Sequence, residues 1–243
     1  MKTVFIFGAL GTAALAAAIE GVVPNAFANT EGPGTFSLTT NTAGGRTYQM
    51  VIDESQLSTF VGTNLESMAF RLNGPSNWPT IPVSMSFFDV WIGGGVDPSA
   101  MSNTFADNFT TSLTQVRSGS ISFSPGDFGT GGSPNTFGPA IDFNLSSYTY
   151  NGGDLAIILR FATQTGTGGS PTQAAFDAIA ATDAANGWGT LFAGRWVGSS
   201  SGVTGNNANF IVTEFTATPV PEPATMAALG LGIAVLARRR RKS

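Results

Sequence analysis

A glycoside hydrolase needs only two carboxylates about 5–10 Å apart to supply its acid and its base or nucleophile, so the acids are the first residues to weigh. Asp53, Glu54, Asp89 and Asp97 are the candidates. Neighbouring residues of a strand point to opposite faces, so Asp53 and Glu54 do not make such a pair with each other. Asp89 alternates with Phe87 and Trp91, which would give an aromatic and acidic face for a sugar ring to stack on. A half-solvated sheet face has the same pattern and is the preferred reading, because much of any folded surface is apolar. Asp97-Pro98-Ser99, Asp107-Asn108 and Asp127 are separate loop acids. Calcium is the ion their oxygens would suit, but the D-x-D-x-D-G spacing of a calcium loop is absent, and capping turns by side-chain to backbone hydrogen bonds is their expected role. Gly93-Gly94-Gly95 has no Lys-Ser/Thr after it and reads as a turn, not a phosphate cradle.

The 243 residues include no Cys and no His. That rules out a Ser-His-Asp triad, a thiol nucleophile, and zinc, copper or haem sites of the usual ligand types. No catalytic residue, metal ligand or cofactor is assigned, and a non-enzymatic body is expected. From Asn29 to Ala217 five basic residues (Arg46, Arg71, Arg117, Arg160, Arg195) face thirteen acidic ones, a net charge of −8. Such a body has no cationic stripe for phosphates, so a nucleic-acid partner is not expected.

Short strands must position these residues. Leu155, Ile157, Leu159 and Phe161 alternate with Ala156, Ile158 and Arg160 after an Asn151-Gly152-Gly153-Asp154 turn, the period of a half-buried strand. Similar runs are Met68, Phe70, Leu72; Phe88, Val90, Ile92; and Ile141, Phe143, Leu145, with weaker ones at 116–123, 191–197 and 210–216. Gly and Pro punctuate them throughout. This predicts an all-β body over residues 29–217, an antiparallel β-sandwich of jelly-roll type. One stretch stands apart: Ser170-Pro171 followed by an Ala-rich run to Ala185 predicts a helix, with Phe176 to Ile179 as an alternative strand. Residues 204–209 read as a loop and 216–220 as a linker.

The two ends read differently from the body. Met1-Lys2 precedes an uncharged apolar run from Thr3 to Ile19, the pattern of a secretion signal helix recognised by the Sec translocon and signal peptidase. Ala26 and Ala28 offer small residues for cleavage after Ala28, which makes residues 1–28 the removable segment. Glu20 leaves this signal with an unusually long stretch before the cut.

At the other end Val220, Pro221, Glu222 and Pro223 form a motif kept extended by its prolines. An uncharged run over residues 224–237 follows, containing Met226, Leu229, Leu231, Ile233, Val235 and Leu236, and then Arg238, Arg239, Arg240, Arg241 and Lys242. Fourteen helical residues reach about 21 Å, short of the ~30 Å hydrocarbon core, which suits transient membrane residence. The cations would remain cytoplasmic, leaving the body outside the inner membrane.

Residues 218–243 as a whole resemble the PEP-CTERM sorting signal. The resemblance implies recognition of Val220 to Pro223 by an exosortase, a short transmembrane helix over 224–237 and a basic stop at 238–242. It also implies a Gram-negative host that makes exopolysaccharide, a destination at the cell surface or in the extracellular matrix, and exopolysaccharide as a partner. The function expected is structural or adhesive. A secreted carbohydrate-binding module or a carboxylate-dependent glycan hydrolase is the alternative.

Overall fold

The computed structural model describes residues 17–220. Among them every regular element longer than four residues is a β-strand, and the helical turns are 3-10 segments of three or four residues. The ladders between strands are antiparallel. The all-β class expected from the alternation is therefore what forms.

The largest sheet has six strands in the order Asn206–Ala208, Phe192–Val197, Arg46–Ile52, Leu155–Phe161, Phe88–Gly94 and Thr114–Arg117. Leu155–Phe161 lies in its middle. The turn that launches it relies on Gly152 and Gly153, whose φ angles of 101° and 84° cost a residue with a Cβ far more. Phe88, Val90 and Ile92 point into the core while Phe87, Asp89 and Trp91 are half-exposed, as their alternation predicts. Leu155–Phe161 departs from the half-buried expectation, because Ala156 and Ile158 are buried as well. A loop over residues 98–109 covers that outer face. It is pinned by the fully buried Gln49, whose Nε2 donates to the Phe105 carbonyl (3.0 Å), and by Asn108, whose Nδ2 donates to Gln49 Oε1 (2.7 Å).

A five-stranded sheet runs Ile19–Val23, Thr213–Pro219, Thr63–Phe70 and Tyr148–Tyr150, with Ile141–Asp142 also paired to Thr63–Phe70. The inner faces of both sheets share one buried cluster. Phe60 meets Phe215 edge-on at 6.0 Å, and Tyr48 Oη accepts from the Ile211 N–H (3.1 Å). Two three-stranded sheets complete the body: Thr165–Gly166, Val83–Met85, Ile121–Phe123; and Phe210–Ile211, Phe176–Ile179, Gly34–Phe36.

Several expectations are corrected. The Ala-rich stretch 170–185 holds no α-helix. Phe176–Ile179 is a strand buried along its whole length between two others, and pairing plus burial outweigh a helix propensity worth a few tenths of a kcal/mol per residue. The 204–209 loop contains the strand Asn206–Ala208. The alternation at Ile141, Phe143 and Leu145 gives strand only at Ile141–Asp142, and Leu145 is exposed.

The expected linker at 216–220 is the end of Thr213–Pro219, where Phe215 and Ala217 are fully buried and alternate with half-exposed Glu214, Thr216 and Thr218. Of the expected signal helix, residues 1–16 lie outside the described residues, but Ile19–Val23 is a strand. The body thus begins at least ten residues before Asn29. Val23 and Phe27 are buried in the core, each contributing about 1.5–3 kcal/mol. The membrane segment 224–237, the basic stop 238–242 and Pro221 to Pro223 lie outside the described residues. No helix among the described residues is long and apolar enough to cross a membrane.

Candidate functional site

Three adjacent strands bring three acids together. Asp53 follows Arg46–Ile52, Asp97 lies just beyond Phe88–Gly94, and Asp154 precedes Leu155–Phe161. Because Leu155 is in register with Ile52 on one side and Gly94 on the other, the three loops converge. One carboxylate oxygen from each of Asp53, Asp97 and Asp154 lies within 4.8 Å of the others.

Asp53 and Asp97 are held alike. Asp53 Oδ1 accepts from the Ser55 N–H (2.9 Å) and hydroxyl, and Asp97 Oδ1 accepts from the Ser99 N–H (2.8 Å) and hydroxyl (2.6 Å). Hydrogen bonds from Ser99 hold the Asp97 carboxyl below its ordinary value. Asp154 behaves oppositely. Burial pushes its carboxyl up, the negative charges of Asp53, Asp97 and Glu54 add to this, and the hydrogen bond from the Glu54 N–H opposes it.

The other acids named from sequence do not join this cluster. Asp89 accepts from the Gly119 N–H (3.1 Å), Asp127 from the Ser124 N–H (2.7 Å), and Asp107 from the Ser102 hydroxyl (3.3 Å). In the sequence Asp154 only closes the Asn151-Gly152-Gly153-Asp154 turn. Its role appears only once the strand register is known, since nothing in the local sequence separates it from a turn cap.

Val220, the last described residue, lies near this acidic edge. The Val220 N–H donates to the Gly62 carbonyl (3.3 Å), and the Gly62 N–H to the Tyr150 carbonyl (2.8 Å). Tyr150 Oη donates to the Gly153 carbonyl (2.6 Å). Burial, followed by the charges of Glu54 and Asp154, pushes the Tyr150 phenol up to about 12.

A second feature is an open groove of about 250 Å³ on the outer face of the six-stranded sheet, where Trp91, Ile158 and Arg160 face Phe105, Phe109 and Leu113. The Arg160 guanidinium sits 6.0 Å from the Trp91 ring centre. Trp91 is thus part of an aromatic surface. Asp89 does not line the groove.

An all-β body whose final strand passes directly into Val-Pro-Glu-Pro, an apolar run and a basic end is a sorted, exported type of chain. It carries the PEP-CTERM protein-sorting motif, matched over residues 219–242. The motif implies exosortase-dependent sorting to the cell surface. No curated protein matches the chain. Among solved structures, infectious bursal disease virus Gt strain aligns at 11% identity over 93% of this chain and 48% of that one, with a TM-score of 0.17. The VP2 subviral particle of infectious bursal disease virus aligns at 12% over 93% and 47%, with a TM-score of 0.12. The chain spans about half the length of these viral chains, and scores this low carry no statement about its fold.

Proposed function

We propose that this protein is a non-enzymatic structural or adhesive component of the cell surface or extracellular matrix, associated with exopolysaccharide. The observation that carries the reading is the direct passage of a sheet strand, Thr213–Pro219, into the matched sorting motif. The two large sheets, packed through one core, act as a β-sandwich that the Sec translocon exports, with the apolar tail resident in the inner membrane only until an exosortase has acted. The lack of Cys and His and the solvent exposure of Asp97 fit display better than catalysis.

A second reading, carbohydrate binding, is favoured by the Trp91 groove, whose half-exposed indole offers a sugar ring an apolar face. Retention of the protein purified from the envelope on the host's own exopolysaccharide, with and without EDTA, tests both. Retention supports an adhesive role, and loss of retention in EDTA assigns it to a divalent cation. Passage through the matrix unretained in both buffers leaves a structural role without glycan contact.

A further inference from the structure

We infer that signal peptidase cuts this chain ahead of Ile19, and that residues 19–28 belong to the mature protein as the strand and strap that close its sheet. The inference rests on the export reading and moves the cut away from Ala28.

Ile19–Val23 pairs along its length with Thr213–Pro219, from Ile19 opposite Ala217 to Val23 opposite Thr213. It is an edge strand, and the strand it covers is the one that carries the sorting motif. The chain then turns through Asn25–Phe27, where the Asn25 N–H donates to Gln56 Oε1 (3.0 Å) and Phe27 enters the core. Next it passes over Arg71. This guanidinium, 1% exposed, donates to the carbonyls of Phe27 (2.7 Å), Ala28 (3.1 Å) and Thr30 (2.7 Å). A cut after Ala28 would remove two of these acceptors and leave donors of a buried cation without partners, which is among the costlier defects a fold can carry. It would also bare the backbone edge of Thr213–Pro219.

The sequence supplies what a cut farther upstream requires. Ala14-Leu15-Ala16 and Ala16-Ala17-Ala18 each place small residues at both positions the peptidase must accommodate, at the end of the uncharged run. With either cut, Glu20 lies in the mature protein instead of stretching the segment before the cleavage site. Glu20 then occupies its place in the ladder opposite Thr216.

The test is the N-terminus of the protein recovered from the envelope of its host, read by mass spectrometry. An N-terminus at Ala17 or Ile19 is expected, and one at Asn29 overturns the inference while leaving export intact. An intact Met1 in the envelope also overturns it, and an intact Met1 in the cytosol overturns the export reading as well. Ala16→Phe places a bulky residue in both upstream sites, so uncleaved precursor should accumulate. The pair Ala26→Leu and Ala28→Leu should leave the N-terminus unchanged, and a block of processing by that pair would also overturn the inference.

Discussion

Arg71 Nε donates to Asp177 Oδ2 at 2.7 Å, and neither side chain exposes more than 1% of its surface. This ion pair ties three separate parts of the chain together. Arg71 follows the strand Thr63–Phe70, Asp177 lies within Phe176–Ile179, and the guanidinium also holds the N-terminal strap while Asp177 Oδ1 accepts from the Gly32 N–H (2.8 Å). Removing one partner of a buried pair strands the other's charge. Arg71→Met should therefore cost about 3–5 kcal/mol, read as a lower urea midpoint. Adding Asp177→Leu should cost far less than the sum of the two single changes, because the residues share one network. Additive costs would mean that the pair does not act as a unit.

The acidic edge should respond to pH in a definite direction. The Asp154 carboxyl is raised in the folded state, chiefly by burial and then by its acidic neighbours. A carboxylate whose folded value exceeds its unfolded one favours folding below the unfolded value, about 3.9, and loses that contribution as pH rises through the folded value. Asp154→Asn should thus stabilise the protein at neutral pH in EDTA by a few tenths of a kcal/mol, the group being partly solvated. The advantage should vanish below about pH 4. Millimolar calcium that reverses the sign at neutral pH would show that the three carboxylates hold the ion.

On the carbohydrate-binding reading, Trp91→Ala should lower retention on exopolysaccharide about tenfold, or about 1.4 kcal/mol. The melting temperature should change little, because the indole is half-exposed at the groove. Unchanged retention in a folded variant would remove the groove from consideration.

Two stop codons separate the strand from the label. A chain ending at Val220 keeps every hydrogen bond of Thr213–Pro219 but lacks Pro221 to Pro223, so it should be exported, fold outside, and then fail to stay at the surface. A chain ending at Val212 lacks a strand with neighbours on both sides and with Phe215 and Ala217 in the core. That loss is comparable to the ~5–15 kcal/mol that stabilises a typical domain. No cooperative unfolding transition should remain.

What could be read from sequence followed from local rules. Leu155–Phe161 announces itself by a large apolar residue at every second position after a Gly-Gly turn, and Phe88–Gly94 by the same period. Phe176–Ile179 was ambiguous because an Ala-rich flank favours helix locally, whereas the partners that decide the matter, Gly34–Phe36 and Phe210–Ile211, lie more than 30 residues away on either side or beyond. Ile19–Val23 was hidden for a different reason. Its apolar residues extend the run of an export signal, and only the register against Thr213–Pro219 separates strand from signal. Asp154 was illegible in the same way, since convergence of three loops is a property of the sheet, whereas the terminal motif needed no tertiary information at all.

The place of Thr213–Pro219 between Ile19–Val23 and Thr63–Phe70 has a mechanical consequence for any load that enters through its C-terminal end. Antiparallel hydrogen bonds lie across the strand direction. A drag along the strand loads the bonds on both flanks together, in the manner of a glued lap joint, instead of peeling them one at a time. A pull on that end thus meets shear across two ladders at once.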